Sequence, residues 1–347
     1  MNRYFIKVCI TSWLLIIGLL GIAPAFAQHI LPADKKELQK KEDSLKGLST
    51  NMVFSEQAAD RFRSDSVFTR IFVRALKTKN AFYYPFDSLN ISKLYAPDST
   101  FRIFTWQLKK DEYVYLQKGA IQMNTPDGSL KLFPLFDYSM FTAKPLDSVR
   151  TRNNWIGAIY YRIIEKEFNG QKYYTLLGFD DFSISSNRKW LDVLHFNERG
   201  EPVFGGQMIS FKDDSTKKPV QSRFEIEYKK EAKTFFNYDP EKDIIVFDHL
   251  ISESNEPDRK STYIPDGDFE GFKWQNGQWV HIPQLDFELK LKDGNFPTES
   301  KIFDDAGNAN EQQLEEASRR NMEKESGTPP EQTATKPKKS TPPKKKG

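Results

Sequence analysis

The sequence predicts an α+β protein that is predominantly antiparallel β: a meander or sandwich of about ten strands, with an N-terminal helical segment and a disordered C-terminal tail. Three patterns predict this class. An apolar stripe at helical spacing ends near residue 76, apolar and polar residues alternate from residue 96 onward, and Asn-Gly pairs separate several alternating runs. Because no helical pattern lies between the strands, antiparallel hairpins are favoured over a parallel α/β sheet.

Residues 1–27 have the pattern of a cleaved secretory signal peptide. Arg3 and Lys7 precede an apolar run that ends at Ala25-Phe26-Ala27, a small-x-small cleavage pattern. We therefore expect a mature chain that begins at Gln28 and is exported to the periplasm or the exterior. The alternative is a retained membrane anchor, since the apolar run approaches the length that spans a bilayer. No later stretch is long and apolar enough to span one.

The only cysteine, Cys9, lies inside the predicted signal peptide. The mature chain then has no thiol, which excludes disulfides, thiolate catalysis and cysteine-ligated zinc or iron–sulfur sites. The core alone must stabilise the fold. A chain of roughly 320 residues is long enough to bury about three quarters of its unfolded surface.

The near-neutral total charge is divided unevenly along the chain. Without Arg3 and Lys7, 49 basic and 48 acidic residues remain, and six of the lysines lie with a single glutamate in residues 331–347. The body therefore has 43 basic and 47 acidic residues. Nucleic-acid binding is not expected, because it requires basic residues gathered on one folded face. Residues 301–347 are of low complexity and rich in Lys and Pro, and they predict the disordered tail.

Two helical segments are predicted before the strands. Residues 28–50 are highly charged and predict a marginal helix that forms a solvated stalk or linker. Residues 51–95 predict a helical segment that packs on the sheet, with Ser64 or Ser66 as the N-cap of its main helix. The apolar stripe of this helix has i, i+3, i+4, i+7, i+8 spacing and consists of Phe68, Ile71, Phe72, Ala75 and Leu76.

Residues 96–300 predict the antiparallel β domain. Asn169-Gly170 and Asn276-Gly277 are expected at the turns of two hairpins, because both central residues of such a turn have positive φ. Residues 224–229 alternate in the manner of a strand with one solvated face. The apolar run within residues 243–250 predicts a central strand.

Few residues suggest a metal site, and no cofactor is predicted. The chain has no nucleophile elbow, His-Glu-x-x-His motif, phosphate loop or dinucleotide fingerprint. Asp266, Asp268 and Glu270 occupy positions 1, 3 and 5 of a run that resembles the start of a calcium loop. The twelfth position is Gly277, where the geometry needs a bidentate glutamate. A polar turn before a hairpin is the alternative interpretation.

Two carboxylate–imidazole pairs are candidates for acid–base chemistry: Asp192 with His195, and Asp248 with His249. In each pair the two residues are an odd number of positions apart. On a regular strand they therefore point to opposite faces. Structural roles are the alternative for these histidines.

Asp180 and Asp181 follow a predicted strand and, together with Glu165 and Glu167, could supply the paired carboxylates of glycoside chemistry. Solvated carboxylates at a turn and on a polar strand face are the alternative. A hydrolase centred near Asp180, Asp181, Asp192 and His249 requires these side chains to converge in one concave pocket.

Six short patterns also occur together between residues 94 and 282: Phe101-Arg-Ile-Phe-Thr-Trp106, Trp155-x-Gly-Ala-x-Tyr-Tyr161, Tyr173-Tyr-Thr-Leu-Leu-Gly178, Asp192-Val-Leu194, Val246-Phe-Asp-His-Leu250 and Pro265-Asp-Gly267. Their order resembles a group of uncharacterised exported proteins from Bacteroidota. The resemblance implies export and a β-rich domain, and it brings no activity or catalytic residue with it. That group tends to have Gly-Trp-Asp-Gly where this chain has Gly178-Phe-Asp-Asp181, which weakens the case for Asp181 as a required ligand.

The leading functional hypothesis is a non-enzymatic envelope or surface protein that binds a partner, an envelope protein or a glycan, through its sheet or its tail. It is based on many large aromatic residues and on the lack of a reactive motif. The runner-up is the carboxylate-based hydrolase, acting on envelope polysaccharide. A third hypothesis is electrostatic contact of the tail, from Lys336 onward, with anionic lipid or glycan surfaces. A solvated chain end is its alternative.

Overall fold

The computed structural model describes residues 30–111 and 114–285. In these residues it has two α-helices, α1 (Pro32–Phe54) and α2 (Ala58–Leu76), followed by strands arranged in three sheets. The predicted signal peptide, residues 286–300 of the predicted β domain and the predicted tail lie outside the described residues. The predicted class, a mainly antiparallel β-rich α+β fold, is confirmed.

Fifteen strands are present in the described part of the chain. They are β1 (Ser92–Tyr95), β2 (Phe101–Lys109), β3 (Tyr115–Met123), β4 (Lys131–Phe136), β5 (Arg150–Thr151), β6 (Ile159–Phe168), β7 (Gln171–Asp180), β8 (Ser186–Phe196), β9 (Pro202–Phe204), β10 (Ile209–Ser210), β11 (Phe224–Lys229), β12 (Phe236–Asp239), β13 (Ile244–Ser252), β14 (Tyr263–Gln275) and β15 (Gln278–Ile282). Short 3-10 helices lie at Ala81–Tyr83, Ser139–Phe141, Pro145–Asp147 and Lys260–Thr262.

The strands form a first, a middle and a third sheet. The first sheet has the order β1-β2-β3-β4, and the third has the order β10-β15-β14-β13-β12. The middle sheet has the order β5-β9-β8-β7-β6, with β11 paired to β8. All these pairs are antiparallel except β10 with β15. The described residues therefore form three sheets with fifteen strands, whereas the alternation predicts a meander or sandwich of about ten strands.

Three apolar clusters hold the layers together. The first packs α1 and α2 against one face of the first sheet, and the second lies between the first and middle sheets. The third lies between the middle and third sheets. Strand β2 shows how one strand serves two clusters: Phe104 and Trp106 face the helices, whereas Phe101 and Ile103 face the middle sheet.

The predicted charged stalk is a packed helix. Leu38, Leu45 and Met52 are at most 1% exposed and belong to the first cluster. They are spaced seven residues apart, so they lie on one side of α1 and bury it despite the charged remainder. The buried carboxylate of Glu42 accepts hydrogen bonds from the Tyr84 hydroxyl and from the Ser88 N–H at 2.5 and 2.7 Å. Residues 28–50 are thus part of the core assembly from Pro32 onward.

Helix α2 has the predicted apolar stripe. Phe68, Phe72, Ala75 and Leu76 are buried in the first cluster, and Ile71 packs against its edge. The predicted start is wrong, because α2 begins at Ala58 and has no side-chain N-cap. No helix among the described residues combines the length and apolarity that a bilayer crossing needs.

Both predicted Asn-Gly hairpins are present. Asn169 and Gly170 have φ of 51° and 74° and join β6 to β7. Asn276 and Gly277 have φ of 51° and 80° and join β14 to β15. These turns set the register of the strands that carry most of the candidate site residues. Strand β13 lies between β12 and β14, as its apolar sequence predicts.

Arg102 shows how the interior accommodates a charge. Its guanidinium is fully buried, and burial lowers its pKa to about 10, so it remains a cation at neutral pH. No carboxylate pairs with it among the described residues. It instead donates hydrogen bonds to backbone and side-chain oxygens and lies near several aromatic rings. The oxygens belong to Ala81, Tyr84, Tyr95 and Gln122, and the rings to Phe82, Phe86, Tyr95 and Phe104.

A matched pair of glycine substitutions tests the close packing of β6 beside β7 in the middle sheet, where Gly178 lies opposite Tyr160. A Cβ added at Gly178 would lie 2.8 Å from Ala158 Cβ and 2.9 Å from Tyr160 Cδ1, whereas one added at Gly47 on α1 meets no atom within 4 Å. We expect Gly178→Ala to lower the free energy of unfolding by about 1–3 kcal/mol. Gly47→Ala should raise it by about 0.5–1 kcal/mol. Urea denaturation measures both, and an unchanged Gly178→Ala protein would contradict the tight packing.

Candidate functional site

Asp180 lies at the end of β7 and is buried between the first and middle sheets. It accepts a hydrogen bond from Gln117 Nε2 at 2.9 Å. Burial and the nearby charge of Asp137 raise the pKa of Asp180 to about 7. The Gln117 Oε1 atom has no hydrogen-bond partner among the described residues. Asp180 is therefore a buried carboxyl group with a raised pKa, and it is hydrogen-bonded to the side-chain amide of Gln117.

The next residue, Asp181, forms an ion pair with Lys230. The ammonium group of Lys230 also donates to the Ser183 carbonyl at 2.9 Å. Burial lowers the pKa of Lys230 to about 8, although the charge of Asp180 opposes this change. Through Lys230, Asp181 thus helps to hold the loop that follows β7 in place.

Asp192 and His195 on β8 do not act as a pair. Asp192 Oδ1 lies 3.3 Å from Arg223 Nε, and both side chains are nearly inaccessible to solvent, at 3% and 0% exposure. Burial raises the pKa of Asp192, and Arg223 opposes this change. His195 packs beside the ring of Tyr173, and burial lowers its pKa. Its Nδ1 atom has no hydrogen-bond partner in the described part of the chain.

Asp248 and His249 also have separate partners, as the alternation of side chains along a strand predicts. Asp248 accepts a hydrogen bond from the Phe235 N–H at 2.5 Å, and burial raises the pKa of Asp248 to about 6. His249 lies where the β13–β14 register is interrupted between Asp248 and Leu250. Its Nδ1 atom is 2.8 Å from Asp266 Oδ2.

The three acidic residues of the possible calcium loop lie on one strand, β14, rather than on a loop or a turn. Among the described residues, no three His, Cys, Asp or Glu side chains are arranged to hold a metal ion. Glu270 instead lies between two histidines, 2.7 Å from His281 Nε2 and 3.8 Å from His249 Nε2. His281 Nδ1 is 2.8 Å from Asp214.

This chain of alternating carboxylates and imidazoles links an exposed histidine to a buried one. The side chain of His249 is 41% exposed, and that of His281 is 4% exposed. Burial lowers the pKa of His281, but hydrogen bonds with Glu270 and Asp214 outweigh burial, and the net pKa is raised. Sequence reasoning missed this arrangement, because Asp214 is remote in sequence from β14 and β15.

The carboxylates proposed for a hydrolase do not share one pocket. Asp180 contacts Gln117, Asp192 pairs with Arg223, and His249 on the third sheet contacts Asp266. Asp192 lies opposite Leu176 on β7, four residues from Asp180. Since each residue of a strand advances about 3.3 Å, the Cα atoms of Asp192 and Asp180 are offset by about 13 Å along the strand direction. The convergence that this hypothesis requires is therefore not found.

A different feature stands out on the surface. Thirteen large apolar side chains are exposed in the described part of the chain, and five of them lie between residues 136 and 149. We call residues 136–152 the apolar–basic loop. Its exposed apolar side chains are Phe136, Tyr138, Met140, Phe141 and Val149, of which Phe141 is 74% exposed. Concentrated exposed apolar side chains are typical of interaction surfaces.

The carboxylate of Asp137 holds the start of this loop in place through hydrogen bonds from three backbone N–H groups. It accepts hydrogen bonds from the backbone N–H groups of Ser139 at 3.0 Å, Gly157 at 3.1 Å and Gln117 at 3.3 Å. The Tyr138 N–H donates to the Trp155 carbonyl at 2.8 Å, and Trp155 is fully buried. The exposed rings of the loop are therefore carried on a backbone that is tied to the core.

The buried pair Asp192–Arg223 fixes the middle of the loop. The guanidinium of Arg223 donates to the carbonyl of Pro145 and, at 3.0 Å, to the carbonyl of Ser148. The side chain of Leu146, between them, packs into the second apolar cluster. Asp192 thus acts through Arg223 to position the loop, which the sequence did not indicate.

The loop is also basic on its outer side. Lys144, Arg150 and Arg152 form no ion pair with any acidic side chain among the described residues. Asp147 is exposed, whereas the carboxylate of Asp137 is turned towards the backbone groups that it binds. The loop offers apolar contact area and cations that pair with no acidic side chain in the described part of the chain. This combination makes the apolar–basic loop the candidate site.

The comparisons do not add to this picture: no protein-family model, no curated protein and no solved structure matches the chain.

The raised pKa of Asp180 predicts a pH dependence of stability. Because its folded pKa, about 7, exceeds the unfolded value of 3.8, the folded state binds more protons in this interval. The contribution of Asp180 is fully present below pH 3.8 and is lost as pH rises through 7, with a slope of up to about 1.4 kcal/mol per pH unit. Asp180→Asn keeps an acceptor for Gln117 and should flatten this part of the curve. Urea denaturation from pH 4 to 8 measures it, and an unchanged slope would contradict the assignment.

The buried ion pair predicts an asymmetric mutational cost. Asp192→Asn leaves Arg223 charged and without its partner, and should lower the free energy of unfolding by about 3–5 kcal/mol. The double variant Asp192→Asn with Arg223→Met removes the stranded charge and should recover part of this loss. Arg63→Gln breaks an exposed pair with Asp60 and serves as the control, with no measurable change expected. A double variant no more stable than Asp192→Asn alone would argue against a stranded charge.

Proposed function

We propose that this chain is a non-enzymatic exported protein of the cell envelope that binds another envelope component through the apolar–basic loop. The observation that carries the proposal is the loop itself. Five exposed apolar side chains are presented on a backbone that Asp137 and Arg223 hold in place. A preorganised surface loses little conformational entropy on binding, and this favours association.

Export is supported by the sequence. The pattern of residues 1–27 is that of a signal peptide, and the resemblance to exported Bacteroidota proteins implies the same compartment. A core built from three apolar clusters fits a mature chain without cysteine, because no disulfide is needed to stabilise it.

A binding role is favoured over the hydrolase for a geometric reason. The candidate acid–base groups are each bound to a structural partner, and the partners lie in different layers. Catalysis by paired carboxylates requires both groups to flank one bond of a substrate. The loop, in contrast, needs only contact area and charge.

Cell fractionation tests this proposal. In cells that produce the protein, the exported chain should sediment with the envelope after lysis. Met140→Ser with Phe141→Ser removes the two most exposed large apolar side chains of the loop and should release most of the protein into the soluble fraction. Leu31→Ser is the matched control, because Leu31 is 61% exposed but lies at the start of α1, and it should stay with the envelope.

Two outcomes would contradict the proposal. One is a loop variant that remains with the envelope as fully as the unmodified chain. The other is saturable turnover of a cell-wall, glycan or peptide substrate that is lost in Asp248→Asn or His249→Gln.

A further inference from the structure

We infer that the envelope component bound by the apolar–basic loop is an anionic phospholipid surface. This inference rests on the proposed function and names the partner of the same site. It depends on two properties that occur together in residues 136–152: exposed apolar side chains, and cations that have no acidic partner within residues 30–111 and 114–285.

The apolar side chains are of the kinds that enter a lipid interface. Tyr138 and Phe141 lie side by side with ring centroids 5.0 Å apart, and Met140 between them is 62% exposed. Aromatic rings are favoured at the level of the headgroups, where one edge of a Tyr ring meets water and the other meets hydrocarbon. Met is flexible and fits the irregular surface of lipid chains. Tyr138, Met140 and Phe141 together form an exposed apolar cluster near the start of the loop.

The charge of the loop indicates which surface it meets. Lys144 is exposed and Arg152 is half-buried, whereas half-buried Arg150 donates a hydrogen bond from Nε to the Ser148 hydroxyl at 2.9 Å. Because Asp137 is turned inward, only Asp147 opposes them at the surface of the loop. The body of the mature chain has an excess of acidic residues, so this local excess of cations is not a general property of the surface.

A combination of inserted apolar side chains and cations suits an anionic bilayer better than a protein or a glycan. The lipid phosphates neutralise the cations while the rings leave water, and the two contributions add. A protein partner would need matching acidic and apolar patches, and a glycan, even an anionic one, has no hydrocarbon interior for the rings to enter. The rigid backbone below the loop keeps Tyr138, Met140 and Phe141 exposed when no membrane is present.

Vesicle binding tests the inference with the chain from Gln28 onward, which includes every described residue. Vesicles of phosphatidylethanolamine with phosphatidylglycerol should bind the protein in a flotation assay, and vesicles of phosphatidylcholine alone should bind it at least tenfold less. Binding should weaken at high salt, because screening removes the electrostatic part. Equal binding to both kinds of vesicle, or none to either, overturns the inference.

Variants separate the two contributions. Met140→Ser with Phe141→Ser should reduce binding at least tenfold at low salt, and Lys144→Glu with Arg152→Glu should reduce it similarly and remove the salt dependence. Leu31→Ser and Lys36→Glu, on α1, are the apolar and charge controls and should bind as the unmodified chain does. Circular dichroism and urea midpoints confirm that each variant is folded.

The lysine-rich tail requires its own control. A chain that ends before Lys336 should keep binding that depends on Met140 and Phe141. If removal of the tail abolishes binding and the loop variants do not affect it, the inference is overturned in favour of tail attachment.

The fractionation experiment distinguishes failure of this inference from failure of the proposed function. If envelope retention depends on the loop but the vesicles bind nothing, the binding role stands and the partner is a protein or a glycan. If neither retention nor vesicle binding depends on the loop, both fail.

Discussion

The middle sheet is covered on both faces, by the first sheet on one side and the third sheet on the other, and this double burial constrains most of the molecule. A polar group on its central strands cannot reach water and must find a partner inside. Asp192 does so with Arg223, and Asp180 does so with Gln117. The charged side chains of β7 and β8 therefore stabilise contacts inside the fold, and this explains why Asp180 and Asp192 each have a different partner.

The same constraint has a consequence at the surface. Once Arg223 is buried beside Asp192, its remaining N–H groups must also be satisfied, and the carbonyls of Pro145 and Ser148 supply acceptors. The loop that carries these carbonyls is thereby held against the core. Asp137 acts in the same way at the other end of the loop, through three backbone N–H groups. Exposed Tyr138, Met140 and Phe141 are thus displayed by a framework of buried polar contacts.

The third sheet also places polar groups beside apolar ones, because Glu270 and His281 lie on the same face as Phe272 of the third cluster. Glu270 and the two histidines beside it form a continuous polar chain that begins at exposed His249 and ends at buried His281. His281 is hydrogen-bonded on both ring nitrogens, and this raises its pKa although it is buried. This chain places an imidazole with a raised pKa at the edge of the third apolar cluster, where His281 packs beside Phe211 and Phe272.

Local sequence by itself determined the longer strands, the stripe of α2 and the Asn169-Gly170 and Asn276-Gly277 hairpins, since these depend on side-chain periodicity and on backbone preferences within a few residues. It also separated Asp248 from His249, because neighbours on a strand face opposite ways. Only the tertiary structure decided that α1 packs, that three sheets are stacked, and that Asp192 meets Arg223. These depend on contacts between residues far apart in sequence, such as Asp192 and Arg223, which are separated by 31 positions. The exposure of Phe141 was hidden for the same reason: an apolar residue in a sequence is expected to be buried, and only the packed molecule shows which of them is left at the surface.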